Sequence, residues 1–247
     1  MDAKNNRYLQ HRFHWAYSFV QARLSPSGVF GLYFTIGSVA LVGAFWMFGG
    51  ISEDLINGDP LIQVDALISE WFRTHADSRL AAGMEFASTL ASIATIGVLF
   101  ALVAGVLLWK RFWYRLLGLT LVVPSGILVN IVLKSLFDRA RPGWADPMMA
   151  LTDASFPSGH TMMATIMYGY IAIYLMLAIE SWIWRVCVAF FTVALVLVVA
   201  LSRMYLGAHY LSDVLAAMAA GIICLAFCLT AAEVWRRHRS LLAHGRR

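Results

Sequence analysis

The chain has 247 residues, of which 60% are hydrophobic and only 13% are charged. A soluble domain usually carries about 25% charged residues, so the composition excludes a water-soluble globule and predicts a membrane protein with several spans. The formal net charge of +5 would suit a nucleic-acid partner, but the positions of the charges argue against one. Cys187, Cys224 and Cys228 lie inside apolar runs without a CxxC pair, and we interpret them as small residues of the membrane core.

Six stretches are apolar over the roughly 20 residues that a helix needs to cross a bilayer. They lie near residues 29–50, 83–109, 116–136, 159–179, 184–203 and 212–233. We therefore predict an all-α fold, a bundle of six transmembrane helices. The first run is too long for the apolar part of a signal peptide and lacks a small-residue cleavage site. The predicted domains are an N-terminal segment at 1–28, a six-span domain at 29–233 and a basic tail at 234–247.

The basic residues indicate which way the chain crosses the membrane. With six spans, 13 of the 19 lysines and arginines fall on one side, in the two termini and in the links after the second and fourth spans. The positive-inside rule makes that side cytoplasmic. Most acidic residues fall on the opposite side, so the basic excess indicates topology and not a nucleic-acid surface.

Two segments outside the spans have an amphipathic pattern. Residues 1–28 mix basic and aromatic side chains, which suits a cytoplasmic helix lying on the inner leaflet. In the first outer loop, "PLIQVDALISEWF" at residues 60–72 spaces its apolar residues as in a helix lying on the outer membrane surface. The predicted fold therefore includes an amphipathic outer-loop helix.

Three polar stretches occur on the outer side of this topology. They are "KSLFDRARP" at 134–142, "PSGH" at 157–160 and "SRMYLGAHYLSD" at 202–213. Ordinary structural roles explain part of them. Lys134 and Arg141 can extend their charges to the interface, Ser158 suits a helix N-cap, Arg203 suits a helix C-terminus, and Asp213 can cap the sixth span. None of these roles requires two histidines beside three cations at a depth where charge is costly.

The cations and the helix start suit a phosphate group. Lys134, Arg141 and Arg203 match about two negative charges, because arginine offers planar forked donors and lysine a point charge. The amides of Ser158 and Gly159 at a helix N-terminus add uncharged donors for phosphate oxygens. These five residues form the candidate phosphate-binding set.

The histidines suit covalent phosphoryl transfer. His209 and Asp213 are four residues apart and share a helix face, so the carboxylate can hold one imidazole nitrogen as N–H and leave the other free to attack. His160 would be the general acid for the leaving oxygen. A helix N-terminus disfavours its protonated form, so we expect it to be protonated mainly with a phosphate dianion bound. A metal site is the alternative, but three cations would repel a divalent ion, and we expect neither metal nor cofactor.

These three stretches resemble a known signature in residue type, spacing and order. The matching motifs are Lys134-x6-Arg141-Pro142, Pro157-Ser158-Gly159-His160 and Ser202-Arg203-x5-His209-x3-Asp213. They are similar to the three parts of the signature of the type 2 phosphatidate phosphatase family, also called the acid phosphatase/vanadium haloperoxidase superfamily. The resemblance implies a membrane-bound, metal-independent hydrolase of phosphoric monoesters or diphosphates that forms a phosphohistidine intermediate.

The resemblance also implies roles by position. His209 corresponds to the nucleophile, Asp213 to its orienting partner, and His160 to the general acid that later activates water. The implied phosphate-binding residues are Lys134, Arg141, Ser158, Gly159 and Arg203. Arg139 occupies a variable position of the first motif and is left outside this set.

The resemblance further implies a lipid phosphate as substrate, at the periplasmic face of a bacterial inner membrane. We expect undecaprenyl pyrophosphate first, with phosphatidate, phosphatidylglycerophosphate and a lipid A phosphate as competing substrates. The same scaffold would also suit a lipid phosphotransferase, and charge within the membrane would by itself suit a transporter or a catalytically silent membrane partner. Glu85, at the outer end of the second span, either borders the path of the lipid or is an ordinary interface residue.

Overall fold

The structure is a computed structural model that describes residues 32–58, 60–142, 144 and 154–244. Its regular structure within these residues is helical. The helices are α1 (Leu32–Asn57), α2 (Pro60–His75), α3 (Ser78–Thr89), α4 (Ile93–Trp109), α5 (Trp113–Phe137), α6 (Gly159–Ala178), α7 (Trp182–Tyr205) and α8 (Leu211–His244). The chain divides into two compact units, Met1–Gly43 and Ala44–Arg247. Only residues 32–43, the opening turns of α1, are described in the first unit, and the packing and the site below lie in the second.

Among the described residues, six helical stretches are long and apolar enough to cross a membrane, which confirms the predicted fold class. They are Gly37–Asn57, Ser78–Trp109, Trp113–Phe137, Gly159–Ala178, Trp182–Tyr205 and Leu211–Arg236. The first continues past the predicted end at residue 50. Helix α8 continues through most of the predicted tail at 234–247, while the predicted segment at 1–28 lies outside the described residues.

The second span differs from its prediction, because two helices share it. Helix α3 ends at Thr89, and the amide of Leu90 donates to the Ala87 carbonyl oxygen (3.3 Å). Helix α4 begins after Ser92, whose Oγ accepts a hydrogen bond from the Thr95 amide (3.2 Å). This side-chain N-cap replaces a backbone partner that the first turn of a helix lacks. The span is therefore interrupted at residues 90–92.

The outer-loop helix forms where the sequence predicts it, as α2. Asp65 and Phe72 are buried, whereas Val64, Leu67 and Trp71 are exposed. The helix thus buries one face that contains a carboxylate and exposes an apolar face, as expected for a helix at a membrane surface. Its position on the membrane remains a prediction.

Helix α6 lies at the centre of the bundle. Its side chains Met162, Ile166 and Met167 are fully buried against a cluster contributed mainly by α5 and α8. At Gly221 of α8, a Cβ would lie 2.8 Å from the Cβ of Thr165, so only glycine allows this close approach of the two helices. The start of α6, next to His160, is therefore held by packing on more than one side.

Candidate active site

The three polar stretches meet through hydrogen bonds between their loops. The Ser158 amide donates to the carbonyl oxygen of Asp213 (3.2 Å), and the Ser155 amide donates to the carbonyl oxygen of Arg139 (2.7 Å). The Arg141 Nη1 donates to the carbonyl oxygen of Ala208 (3.2 Å). The segment after α5, the start of α6 and the link between α7 and α8 therefore form one site.

A turn at the end of α7 places His209. The amides of Ala208 and His209 both donate to the carbonyl oxygen of Arg203 (3.0 and 3.2 Å). Gly207 has a φ of +68°, and a Cβ there would lie 2.7 Å from the Trp144 ring. A side chain at residue 207 would be excluded by both strain and contact. The turn directs the chain back so that His209 is buried just before α8 begins.

The Nδ1 side of the His209 ring faces two oxygens. It lies 3.5 Å from Oδ2 of Asp213 and 3.5 Å from Oγ of Ser155. These contacts are at the long limit of a hydrogen bond, as is common in active sites without substrate. A carboxylate on this side favours the tautomer with its proton on Nδ1 and leaves the other ring nitrogen unprotonated.

The imidazole of His209 is neutral at physiological pH. Burial lowers its pKa to about 4, and the charges of Arg203 and Arg141 act in the same direction. The hydrogen bond and charge of Asp213 oppose this shift without cancelling it. A neutral imidazole is the form that can act as a nucleophile.

Asp213 contacts both the first turn of α8 and the His209 ring. Its Oδ2 accepts hydrogen bonds from the Tyr210 amide (2.8 Å) and from the Ser155 hydroxyl, and it also faces His209. The bond to Tyr210 caps the first turn of α8, in the manner of an acidic residue that reaches back to the N-cap amide. Asp213 can therefore cap the helix and orient the imidazole at the same time.

The three predicted cations lie near His160, and two of them, Arg141 and Arg203, also act on His209. The charges of Lys134, Arg141 and Arg203 all act on His160, which also lies within electrostatic range of His209. Lys134 Nζ donates to the Ala154 carbonyl oxygen (2.7 Å). The site therefore concentrates positive charge around both imidazoles.

Arg203 is fixed at one end of its guanidinium. Its Nη1 donates to Oγ of Ser88 (2.7 Å), and both side chains are buried. Its Nε is also buried and has no hydrogen-bond partner within the described residues. An unsatisfied buried donor costs about 1–3 kcal/mol, which an anionic oxygen could recover.

The start of α6 is an N-cap that also contacts the neighbouring stretches. Ser158 Oγ accepts from the Thr161 amide (3.5 Å), while Asn130 Nδ2 donates to the Pro157 carbonyl oxygen (3.2 Å). A Cβ at Gly159 would lie 3.2 Å from Asn130 Oδ1. Because the Ser158 amide donates to Asp213, a phosphate oxygen would have to share or replace that bond. The role of Gly159 as a donor remains a prediction.

Arg139, which the sequence analysis left outside the candidate set, contacts the predicted site, and the sequence analysis did not name Asp65, Ser155 or Ser88 as site residues. The Nη1 of Arg139 donates to Asp213 Oδ1 and to Ser212 Oγ (both 2.6 Å), and its Nη2 donates to Asp65 Oδ2 (2.7 Å). The guanidinium carbon of Arg139 also lies 4.2 Å from the centroid of the Tyr210 ring. Burial lowers the pKa of Arg139, but the charges and hydrogen bonds of the two carboxylates together raise it above its usual value.

A sequence signal for Asp65 does exist. It lies on the same helical face as Ile68 and Phe72, at spacings of three and seven residues, so a carboxylate falls on the side of α2 that packs inward. No comparable signal marks Ser155 or Ser88. Glu85 is exposed on α3, and both interpretations of it remain open.

The fold and the site define a helical membrane protein with a buried histidine–aspartate pair among cations. The sequence model described as the PAP2 superfamily matches residues 113–237, just over half of the 247 residues. The chain belongs to the PAP2 superfamily, which confirms the family resemblance. All the predicted site residues fall within the matched range.

Individual relatives agree with this assignment. The chain is 35% identical over 121 residues to phosphatidylglycerophosphatase B of Bacillus subtilis (strain 168), a match that covers 49% of this chain and 59% of the relative. A crystal structure of a transmembrane PAP2-type phosphatidylglycerolphosphate phosphatase from Bacillus subtilis is similar with a TM-score of 0.68 and 28% identity, over 78% of this chain and 95% of that one. The crystal structure of Aquifex aeolicus LpxE is similar in fold alone, with a TM-score of 0.54 and 20% identity over 68% of this chain and 95% of that one.

Proposed function

We propose that the protein is an integral membrane phosphatase that hydrolyses a lipid phosphate or pyrophosphate through a phosphohistidine on His209. The observation that carries this proposal is the neutral, buried His209 beside Asp213. In the same cationic site, the Nε of Arg203 has no hydrogen-bond partner among the residues that the structure describes. A neutral nucleophile in a cationic site suits a substrate that brings its own negative charge.

The reaction would have two steps. In the first, the unprotonated nitrogen of His209 forms a bond to phosphorus while the bond to the leaving oxygen breaks, and His160 donates a proton to that oxygen. Asp213 stabilises the positive charge that develops on the His209 ring. In the second, His160 takes a proton from water, the water oxygen bonds to phosphorus, and the phosphorus–nitrogen bond breaks. Lys134, Arg141 and Arg203 would stabilise the charge on the phosphoryl oxygens in both steps.

The substrate belongs to the bilayer, because the site lies at the ends of apolar helices. The likeness to phosphatidylglycerophosphatase B supports a glycerolipid phosphate such as phosphatidylglycerophosphate. Undecaprenyl pyrophosphate, the first expectation, would place its diphosphate in the same cationic site, and phosphatidate and a lipid A phosphate are the remaining candidates. By the positive-inside rule the site would face the periplasm, with both termini in the cytoplasm.

The test is a phosphate-release assay on purified protein in EDTA, with these four lipid phosphates offered separately. Wild type should release phosphate from at least one, and His209→Ala should lower turnover at least about 10³-fold because the nucleophile is lost. His238→Ala removes an exposed histidine from the far part of α8 and should leave turnover unchanged. Full turnover by His209→Ala, or no release from any substrate by wild type, would overturn the proposal.

The same assay separates hydrolysis from transfer. Adding a second lipid with a free hydroxyl should leave the rate of phosphate release unchanged if water is the acceptor. A product phosphorylated on the added lipid, formed at the expense of free phosphate, would instead identify a phosphotransferase.

A further inference from the structure

Asp65, on the outer-loop helix α2, is connected to the catalytic pair by a continuous set of buried contacts. Its Oδ2 accepts from Arg139 Nη2 (2.7 Å), and the same guanidinium donates through Nη1 to Asp213 Oδ1 (2.6 Å). Asp65 also accepts hydrogen bonds from the Ser212 amide (2.9 Å, to Oδ1) and from the Ser212 hydroxyl. We propose that Asp65 is a positioning residue of the phosphatase, which acts on His209 through Arg139 and Asp213. The proposal rests on the proposed function.

These contacts are strong because the charged groups are buried. The side chains of Asp65, Arg139 and Asp213 are 1%, 11% and 0% exposed. Ion pairs removed from water in this way lose little to screening, and removal of one partner leaves a charge without compensation. An exposed pair on the same helix, Arg73 with Glu70 (2.5 Å), provides the contrasting case, because such pairs contribute little.

The balance of charge explains why a second carboxylate is needed. Asp65 and Asp213 carry two negative charges, and Arg139 carries one positive charge. The three groups therefore retain one net negative charge beside His209, which is what a ring that becomes cationic on phosphorylation requires. Without Asp65, the positive charge of Arg139 would cancel the negative charge of Asp213. The cationic ring in the transition state would then lose the stabilisation that the net negative charge provides.

Geometry gives Asp65 a second effect on the same carboxylate. The two nitrogens of the Arg139 fork are each committed to one aspartate, and the guanidinium stacks on Tyr210. A planar fork held at both ends has little freedom to rotate. Asp213 therefore keeps Oδ1 on Arg139 and Oδ2 toward His209 and Ser155.

Other contacts hold α2 in place, so the role of Asp65 can be separated from folding. The Trp144 indole donates to Ser69 Oγ (2.9 Å), and the Phe72 ring lies 5.7 Å from the Tyr205 ring in an edge-to-face arrangement. Asp65 lies outside the residues that the PAP2 model matches. Helix α2 would thus add a charge to the site from a part of the chain beyond the family motifs.

The experiment measures kcat and KM of the detergent-purified full chain on the best substrate from the panel above. Asp65→Asn, which keeps shape and removes charge, should lower kcat about 10- to 100-fold, the loss typical of residues that orient a reacting group. KM should stay within about twofold, because the hydrogen bonds of Asp65 go to Arg139 and Ser212. Glu70→Gln removes the exposed carboxylate of the same helix and should match wild type.

A double variant tests whether Asp65 acts through Arg139. Arg139→Gln combined with Asp65→Asn should have the kcat of Arg139→Gln alone, since the connection is already broken. The inference is overturned if the losses of the two single variants multiply in the double variant. It is also overturned if Asp65→Asn has a wild-type kcat, or if its loss is confined to KM. If Asp65→Asn does not purify as a folded protein, Arg139→Lys tests the same bridge, because an ammonium cannot hold two carboxylates as a fork does.

The two proposals fail in different ways. A wild-type protein that releases no phosphate overturns the proposed function itself. An active wild type with an inactive His209→Ala variant and a fully active Asp65→Asn variant overturns only the role of Asp65.

Discussion

At the scale of single residues, burial and the charges of Arg203 and Arg141 keep His209 neutral against the opposing effect of Asp213. Asp213 distributes its two oxygens among Arg139, Ser155 and Tyr210 as well as the imidazole. The distance between Asp213 Oδ2 and His209 Nδ1 is correspondingly long, at 3.5 Å. The carboxylate can therefore stabilise the positive charge that develops on the ring during the reaction, while the ring is neutral before the reaction begins.

The lowered pKa of His209 predicts a pH dependence of folding stability. An unfolded histidine has a pKa near 6.5, whereas burial lowers the pKa of folded His209 to about 4. Between these values only the unfolded chain binds the proton, so stability falls as the pH drops from about 6.5 to about 4. The loss due to His209 should reach roughly 3 kcal/mol, because one pKa unit corresponds to about 1.4 kcal/mol.

The measurement is the apparent unfolding temperature of the detergent-purified protein at several pH values from 4 to 7. His209→Gln, which cannot take up this proton, should lose less stability than wild type over that range. His238→Gln, at an exposed position of α8, controls for removal of a histidine as such. Identical pH profiles for wild type and His209→Gln would show that His209 does not titrate as expected.

At the scale of secondary-structure elements, the break between α3 and α4 matters for the site. The last turn of α3 contains Ser88, whose hydroxyl receives the Arg203 guanidinium. Hydropathy did not predict this break, because residues 90–92 are compatible with a continuous apolar span. The break depends on local hydroxyl contacts, such as Ser92 with Thr95, which a hydropathy average does not register.

Ser88→Ala should weaken phosphate binding without abolishing catalysis. Arg203 would lose the hydrogen bond that orients it, and a bond to a charged group contributes about 1.5–3 kcal/mol. We expect KM and the inhibition constant of inorganic phosphate to rise about tenfold or more, with a smaller change in kcat. Thr89→Ala removes the neighbouring hydroxyl, which donates to the Phe86 carbonyl oxygen of its own helix, and should not change either constant. An unchanged KM for Ser88→Ala would contradict this role.

The sequence predicted elements that depend on local pattern and missed those that depend on long-range contact. The six spans and the family follow from hydropathy and from motifs of a few residues, and both are confirmed. The partners Arg139 and Asp65 are 74 residues apart, and Arg203 and Ser88 are 115 apart. Neither the period of a helix nor the spacing of a motif relates such positions. The catalytic roles within the motifs remain predictions for the variants above.

At the scale of the whole molecule, the two ends of the bundle differ in character. At the site end, cations are paired with buried carboxylates or lie within electrostatic range of His160. At the other end, where α5 begins and α6 ends, arginines accompany aromatic rings. Arg115 lies 4.6 Å from the Phe112 ring centroid and 5.0 Å from that of Tyr174, and Arg239 lies 4.5 Å from that of Trp235. Basic and aromatic residues together are typical of the cytoplasmic interface.

This asymmetry predicts that the site faces the periplasm and that both termini are cytoplasmic. A test uses single cysteines on a background with Cys187, Cys224 and Cys228 replaced by alanine, in intact cells of a Gram-negative host with a permeabilised outer membrane. Glu70→Cys, exposed on α2, should react with a membrane-impermeant maleimide, because the predicted topology places α2 on the periplasmic side. Arg239→Cys, exposed near the end of α8, should react only after the inner membrane is also opened, because a maleimide that cannot cross a bilayer does not reach the cytoplasm. The reverse pattern would place the site in the cytoplasm and contradict the topology, while the cysteine-free background measures non-specific labelling.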